Sequence, residues 1–275
     1  MITLTGFADE ISPDLDIQLD LLASEGISHL EFRGVWGKNV LKLTDEELAS
    51  VKEQLDARGF KVSSIGSPIG KIQITDPFEP HMEDFKRAIY VAQFLGAPFI
   101  RIFSFFMPES ADPAVYREEV VSRMKQLTKV AEQEGVQLLH ENEKDIYGDT
   151  GERCLDIFQA CHSLNLRGAF DPANYIQCGV RPMTEAYPLV APYIAYYHIK
   201  DALIENRKVV PAGEGDGQLP ELIGVLKEQN FSGFLSLEPH LKAVGAYGGY
   251  SGPELFAVAV KALKKLLAEA NLDWN

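Results

Sequence analysis

Short apolar runs that end in polar or charged groups recur along the chain, each followed by apolar residues at helical spacing. Ile2 to Gly6 is the first such run and reads as a strand. Ser12-Pro13-Asp14 then caps a helix in which Leu15, Leu19, Leu22 and Ala23 fall on one face, and Gly26 stops it. A second strand, His29 to Arg33, precedes a capping box at Thr44-Asp45-Glu46-Glu47, whose helix ends before Gly59. Val62 to Ile65 and Phe99 to Phe103 continue the strands, with helices expected from about Pro80 to Leu95 and from Pro113 to Glu134. The second half repeats the unit. Strands close at Glu141, Asp171, Asp201 and Glu238, with helices expected over 150–164, 184–190, 219–229 and 253–270.

Strand starts near residues 2, 29, 62, 99, 136, 167, 194 and 234 give eight βα units at intervals of about 30 to 40 residues. Strict alternation implies a parallel sheet, and eight units imply that it closes into a single (β/α)8 TIM barrel over residues 1–275. A doubly wound open sheet is the alternative, and nothing like a Gly-x-Gly-x-x-Gly turn follows the first strand to favour it.

Composition narrows the function. The 275 residues carry 40 acidic and 26 basic side chains, a formal charge of −14. Nucleic-acid affinity rests on cations that neutralise phosphates, so a nucleic-acid partner is not expected. No basic leader and no run of 18 apolar residues occurs, so a cytoplasmic location and no membrane partner are expected. Three cysteines without a Cys-x-x-Cys pair, Cys154, Cys161 and Cys178, read as reduced thiols. On homo-oligomer assembly the sequence is open.

Barrel strands present chemistry at their carboxyl ends. Glu141, Asp171, His198 and Glu238 are expected there on strands five to eight, forming a metal-ligand set. Three carboxylates and one imidazole suit one octahedral divalent ion, Mn²⁺ first, with Mg²⁺ or Co²⁺ as alternatives and Zn²⁺ less so. Substrate contacts are expected from Glu31, Arg33, Arg101, Lys200, Glu214 and His240, each with a structural ion pair or turn as the competing reading. The Gly245 to Gly252 run is either a phosphate site on backbone amides or a loop. Trp36, Phe105, Phe106 and Met107 either wall a pocket or pack under loops.

Leu139-His140-Glu141-Asn142, Phe170-Asp171-Pro172-Ala173-Asn174, Tyr197-His198-Ile199-Lys200-Asp201, Gly213-Glu214-Gly215-Asp216-Gly217 and Leu237-Glu238-Pro239-His240 together resemble the sugar-phosphate isomerase/epimerase family of xylose isomerase-like barrels. The resemblance implies that Glu141 and Glu238 double as acid and base, moving a proton between the faces of a sugar or sugar phosphate through an enediolate. Several relatives have His three residues after the aspartate. This chain has Asn174, which leaves its substrate contact open. A dehydratase of an inosose- or dehydroshikimate-like compound is the first rival on the same site. An endonuclease IV-like phosphodiesterase is the second. It needs further histidines for a trinuclear zinc centre, and this chain has six in all.

Overall fold

The computed structural model describes residues 1–242 and 249–275. Eight parallel strands form its main sheet: β1 (Ile2–Gly6), β2 (His29–Phe32), β3 (Lys61–Ile65), β4 (Phe99–Ile102), β5 (Gln137–Glu141), β6 (Leu166–Phe170), β7 (Ile194–Ile199) and β8 (Gly233–Leu237). They pair in the order β1-β8-β7-β6-β5-β4-β3-β2, and a bridge between Phe7 and Glu31 brings the two end strands together. The expected barrel is thus observed.

Helices α1 (Leu15–Ser24), α2 (Asp45–Ala57), α3 (Glu79–Leu95), α4 (Arg117–Glu134), α5 (Gly151–Cys161), α6 (Pro172–Gln177), α7 (Tyr187–Val190), α8 (Leu219–Glu228) and α9 (Pro253–Glu269) follow the strands in turn. Asp14 caps α1 by accepting the Ile17 N–H at 3.1 Å, and the Thr44–Glu47 capping box opens α2. Along α1 the fully buried Leu19 and Leu22 face the barrel, each contributing about 1.5–3 kcal/mol by the apolar area it removes from water. None of the described helices is long and apolar enough to cross a membrane.

Four features depart from the periodicity. Asp171 is itself the N-cap of α6, accepting the Asn174 N–H at 2.9 Å. The helix expected over 184–190 is a π-helical turn, Pro182–Ala186, running into α7. Two short hairpins, Gly34–Val35 with Lys38–Asn39 and Asp201–Ala202 with Val209–Val210, sit beyond β2 and β7.

The barrel interior is layered. Because side chains alternate along a strand, one residue in two points inward. At the amino end Leu139, Ala169 and Tyr196 pack with Phe99 and Phe234. Above them the hydroxyls of Thr5, Ser63 and Tyr196 form a chain, with spacings of 2.8 and 2.9 Å. The next inward residues of β2, β7 and β8 are Glu31, His198 and Ser236, and the polar cluster lies on top of them.

Candidate metal centre and active site

Glu141 ends β5, Asp171 and Glu238 follow β6 and β8, and His198 lies one residue before the end of β7. All four are buried, and each offers a ligand atom within 4.8 Å of the others. His198 Nδ1 faces this group, 3.1 Å from Glu141 Oε1 and 3.5 Å from Glu238 Oε2. Its Nε2 points the other way, 3.2 Å from Glu31 Oε2, which also accepts from Ser236 Oγ at 2.7 Å. If Nε2 donates to Glu31, the Nδ1 lone pair is directed at the three carboxylates. That is the tautomer a metal-binding imidazole needs.

Cations and amides surround the carboxylates. Lys200 Nζ lies 2.8 Å from Asp171 Oδ2, 2.8 Å from Asn174 Oδ1 and 3.3 Å from Glu238 Oε2. Asn174 Nδ2 donates to Glu141 Oε1 at 3.2 Å and to the Asn142 carbonyl at 2.9 Å. Arg101 Nη1 stands between the remaining oxygens, 3.1 Å from Glu141 Oε2 and 3.7 Å from Glu238 Oε1. Arg33 Nη1 is 3.5 Å from Glu238 Oε1, while its Nε donates to Asp9 at 2.8 Å. The Arg33 and Arg101 guanidiniums both lie 4.7 Å from the centre of the Phe7 ring, a cation–π arrangement that holds them over the barrel mouth.

Burial pushes the Glu141 carboxyl up, but the His198 and Arg101 charges outweigh it and bring it down to about 2. Glu238 is likewise held well below the usual range, burial being overcome by Lys200, His240, His198 and Arg101. Asp171 moves the other way. Burial raises it, and the Glu238 and Glu141 charges add to this, so that it reaches about 7 despite Lys200. Burial opposes a charge on His198, yet Glu141 and Glu31 raise it well above its ordinary value. Without a metal, then, His198, Lys200 and Arg101 neutralise the carboxylates. A divalent ion in the same place would take over the role of the His198 proton, so this hard oxygen-rich donor set fits such an ion.

A cavity of about 600 Å³ opens above the cluster, a size suited to a small molecule. Of the predicted contact residues, Arg33, Arg101, Asn174, Lys200 and His240 line it, as does the candidate ligand Glu238. Glu31 does not; it is fully buried beneath His198 and touches the cluster through that ring alone. Glu214 does not line it either and is exposed. Asp201 is what the glycine loop serves, accepting N–H groups from Gly213, Gly215 and Gly217 at 2.9, 3.0 and 2.8 Å. Among the aromatics, Phe106 lines the cavity, Phe105 is buried in the core, and Trp36 is exposed. Residues 245–248 of the glycine-rich run lie outside the described residues.

Sequence reasoning missed several participants. Phe7 follows Thr5 at strand spacing, a signal that was present. Glu10 is fully buried, accepts the His240 N–H and the Ser251 hydroxyl at 2.9 Å each, and lies 3.3 Å from His240 Nε2. Lys71, Arg207 and Lys208 also reach the cavity. They come from loops whose course periodicity does not reveal.

The fold and the cluster define a (β/α)8 barrel with a candidate metal centre at its carboxyl rim. The chain belongs to the xylose isomerase-like TIM barrel family, whose model matches residues 19–271. A curated relative, the 3-dehydroshikimate dehydratase of Bacillus anthracis, is 20% identical over 254 residues, 88% of this chain and 89% of that protein. A D-tagatose 3-epimerase-like protein has a similar structure, with a TM-score of 0.78 and 18% identity, covering 98% of each chain. So does an IOLI protein with a bound zinc atom, with a TM-score of 0.78 and 19% identity, covering 98% of this chain and 99% of that one. At these identities the structural likenesses show the fold.

Proposed function

We propose that this protein is a divalent-metal-dependent isomerase or epimerase of a small sugar or sugar-derived hydroxy-carbonyl compound. One observation carries the reading. Glu141 and Glu238 each turn one oxygen toward His198 Nδ1 and the other toward Arg101, so a single carboxylate can hold an ion and still exchange a proton. Glu141, Asp171, His198 and Glu238 would hold the ion. When bound, it would polarise a substrate carbonyl and neighbouring hydroxyl and acidify the C–H between them.

The chain's own groups supply the rest. With His198 and Lys200, Arg101 keeps both glutamates ionised and therefore able to accept a proton. Its guanidinium also stands between them, where a substrate carbon must come, so it gives way or becomes a ligand of a substrate oxygen. Lys200, fixed by Asp171 and Asn174, offers a proton donor to an oxyanion at the cavity floor. The curated relative supports a second reading, a dehydratase, in which the same C–H loses its proton and an adjacent hydroxyl leaves as water. Product analysis separates the two.

Elemental analysis of protein expressed with Mn²⁺ should find one ion per chain, and Asp171→Ala and His198→Ala should lose it. Glu141→Gln and Glu238→Gln should each abolish exchange of substrate C–H with deuterated solvent. Unchanged metal content in the first pair would overturn the site. Full exchange by Glu238→Gln would overturn the two-carboxylate mechanism.

A further inference from the structure

The charge of the cavity runs against that of the molecule. The chain carries 40 acidic and 26 basic side chains, yet seven cavity-lining side chains are Lys or Arg and three are Asp or Glu. The deep cations are engaged: Arg33 with Asp9 and Glu238, Arg101 with Glu141 and Glu238, and Lys200 with Asp171 and Glu238. Lys71 at the rim pairs with Glu143 at 3.3 Å and lies 4.2 Å from the centre of the Phe103 ring. Lys144, Arg207 and Lys208 differ. All three are exposed, line the same cavity, and have no ion-pair partner among the described residues. Residues 243–248 contain no carboxylate that could pair with them.

Backbone contacts set the place of two of these cations. Arg207 sits at the tip of the Asp201–Ala202/Val209–Val210 hairpin with φ +60°, its N–H donated to the Leu203 carbonyl at 2.8 Å. The Lys208 N–H donates to Asn206 Oδ1 at 2.9 Å, and the Leu203 N–H to the Lys208 carbonyl at 2.9 Å. The hairpin root is fixed by Asp201 and its three glycine N–H groups. So the turn holds the tip, and its charges remain free for a ligand. These cations, without an ion-pair partner among the described residues, stand at the mouth of the cavity above the carboxylate cluster, where they offset the repulsion that a strongly acidic chain exerts on small anions.

We infer that the substrate carries an anionic group, a carboxylate or a phosphate, at the end remote from the cluster, where Lys144, Arg207 and Lys208 hold it. This rests on the proposed function in placing the reacting end at the cluster. A planar guanidinium beside two ammonium groups can take either oxyanion, Arg as a fork and Lys as point charges.

Calorimetric titration of the Mn²⁺-loaded protein with D-fructose, D-fructose 6-phosphate and 5-keto-D-gluconate tests the inference, with deuterium exchange followed on the same three compounds. At low salt, at least one of the two anions should bind about tenfold or more tighter than fructose, and that advantage should shrink toward none at roughly 0.5 M salt. Arg207→Ala/Lys208→Ala should remove most of it. Lys52→Ala/Lys86→Ala, the same charge change away from the cavity, should not. A preference for the phosphate or for the carboxylate names the anion. Equal binding of all three, no measurable binding, or undiminished anion binding by the Arg207/Lys208 variant overturns the inference. Anion binding with the expected dependence but no exchange on any compound leaves the anion site standing and removes the isomerase reading.

Discussion

Replacing Glu31 should weaken metal binding from beneath the cluster, without touching a ligand. Glu31 is fully buried, and its Oε2 faces His198 Nε2 at 3.2 Å and accepts from Ser236 at 2.7 Å, so it fixes both the tautomer and the rotation of the ring. A hydrogen bond to a charged group contributes about 1.5–3 kcal/mol, and partners that orient a metal-binding histidine change affinity by about 10- to 100-fold, or roughly 1.4–2.8 kcal/mol. Glu31→Gln keeps an acceptor for Nε2–H but loses the charge, so about tenfold is expected. Glu31→Ala also leaves Nε2 and the Ser236 hydroxyl without this acceptor, so about 100-fold is expected. Competition against a chromophoric chelator, with Mn²⁺ and Zn²⁺ in turn, measures both, and thermal unfolding checks that each variant is folded. Wild-type affinity in a folded Glu31→Ala protein, or Glu31→Gln binding no better than Glu31→Ala, would refute the reasoning.

Two further perturbations test the scaffold. Gly70 has φ +89°, and a Cβ there would lie 2.0 Å from the Phe103 carbonyl oxygen, so Gly70→Ala should cost about 2–4 kcal/mol in urea unfolding. Gly26, at φ +69° with nothing within 4 Å, is the control, and Gly26→Ala should cost about 1 kcal/mol. Burial lowers the pKa of His81, whose Nε2 accepts the Gly70 N–H at 2.7 Å. The folded imidazole takes up a proton less readily than the unfolded one, whose ordinary value is 6.5, so stability falls as pH drops below that point. Unfolding free energies between pH 7.5 and 5 should show a shallower slope for His81→Gln, and an unchanged slope would exclude this role.

The barrel and the clustering of the four candidate ligands were legible because both rest on local pattern. Alternation puts Glu141, Asp171, His198 and Glu238 on inward-facing positions near the strand ends, whatever the barrel's exact stagger. Depth within the barrel was not legible. Glu31 and Arg33 are two residues apart on one inward row, yet one supports His198 from below while the other lines the cavity. Which layer each joins depends on how β2 is staggered against β7, 167 residues away in the case of His198, and no local signal encodes that. Glu214 shows the complementary error. A charged residue between glycines looks like a site, but the glycines are there to bring their N–H groups to Asp201, and Glu214 faces outward. Asp171 was seen as a ligand and missed as a helix cap, although Asp-Pro is a helix-start signal.

The sheet order gives this barrel a timetable. Strand β1 lies between β2 and β8, and its long ladder, Ile2 opposite Gly233 through Gly6 opposite Leu237, is to the strand made last. At about 5–20 residues per second, a ribosome leaves β1 without that neighbour for roughly 10–50 s. During that interval its apolar residues and one row of backbone groups are a liability that a chaperone or the growing helices must cover. The same delay falls on Glu238, which leaves the ribosome after the other three candidate ligands. A divalent ion that needs all four would be captured only at the end of synthesis, when the ring closes.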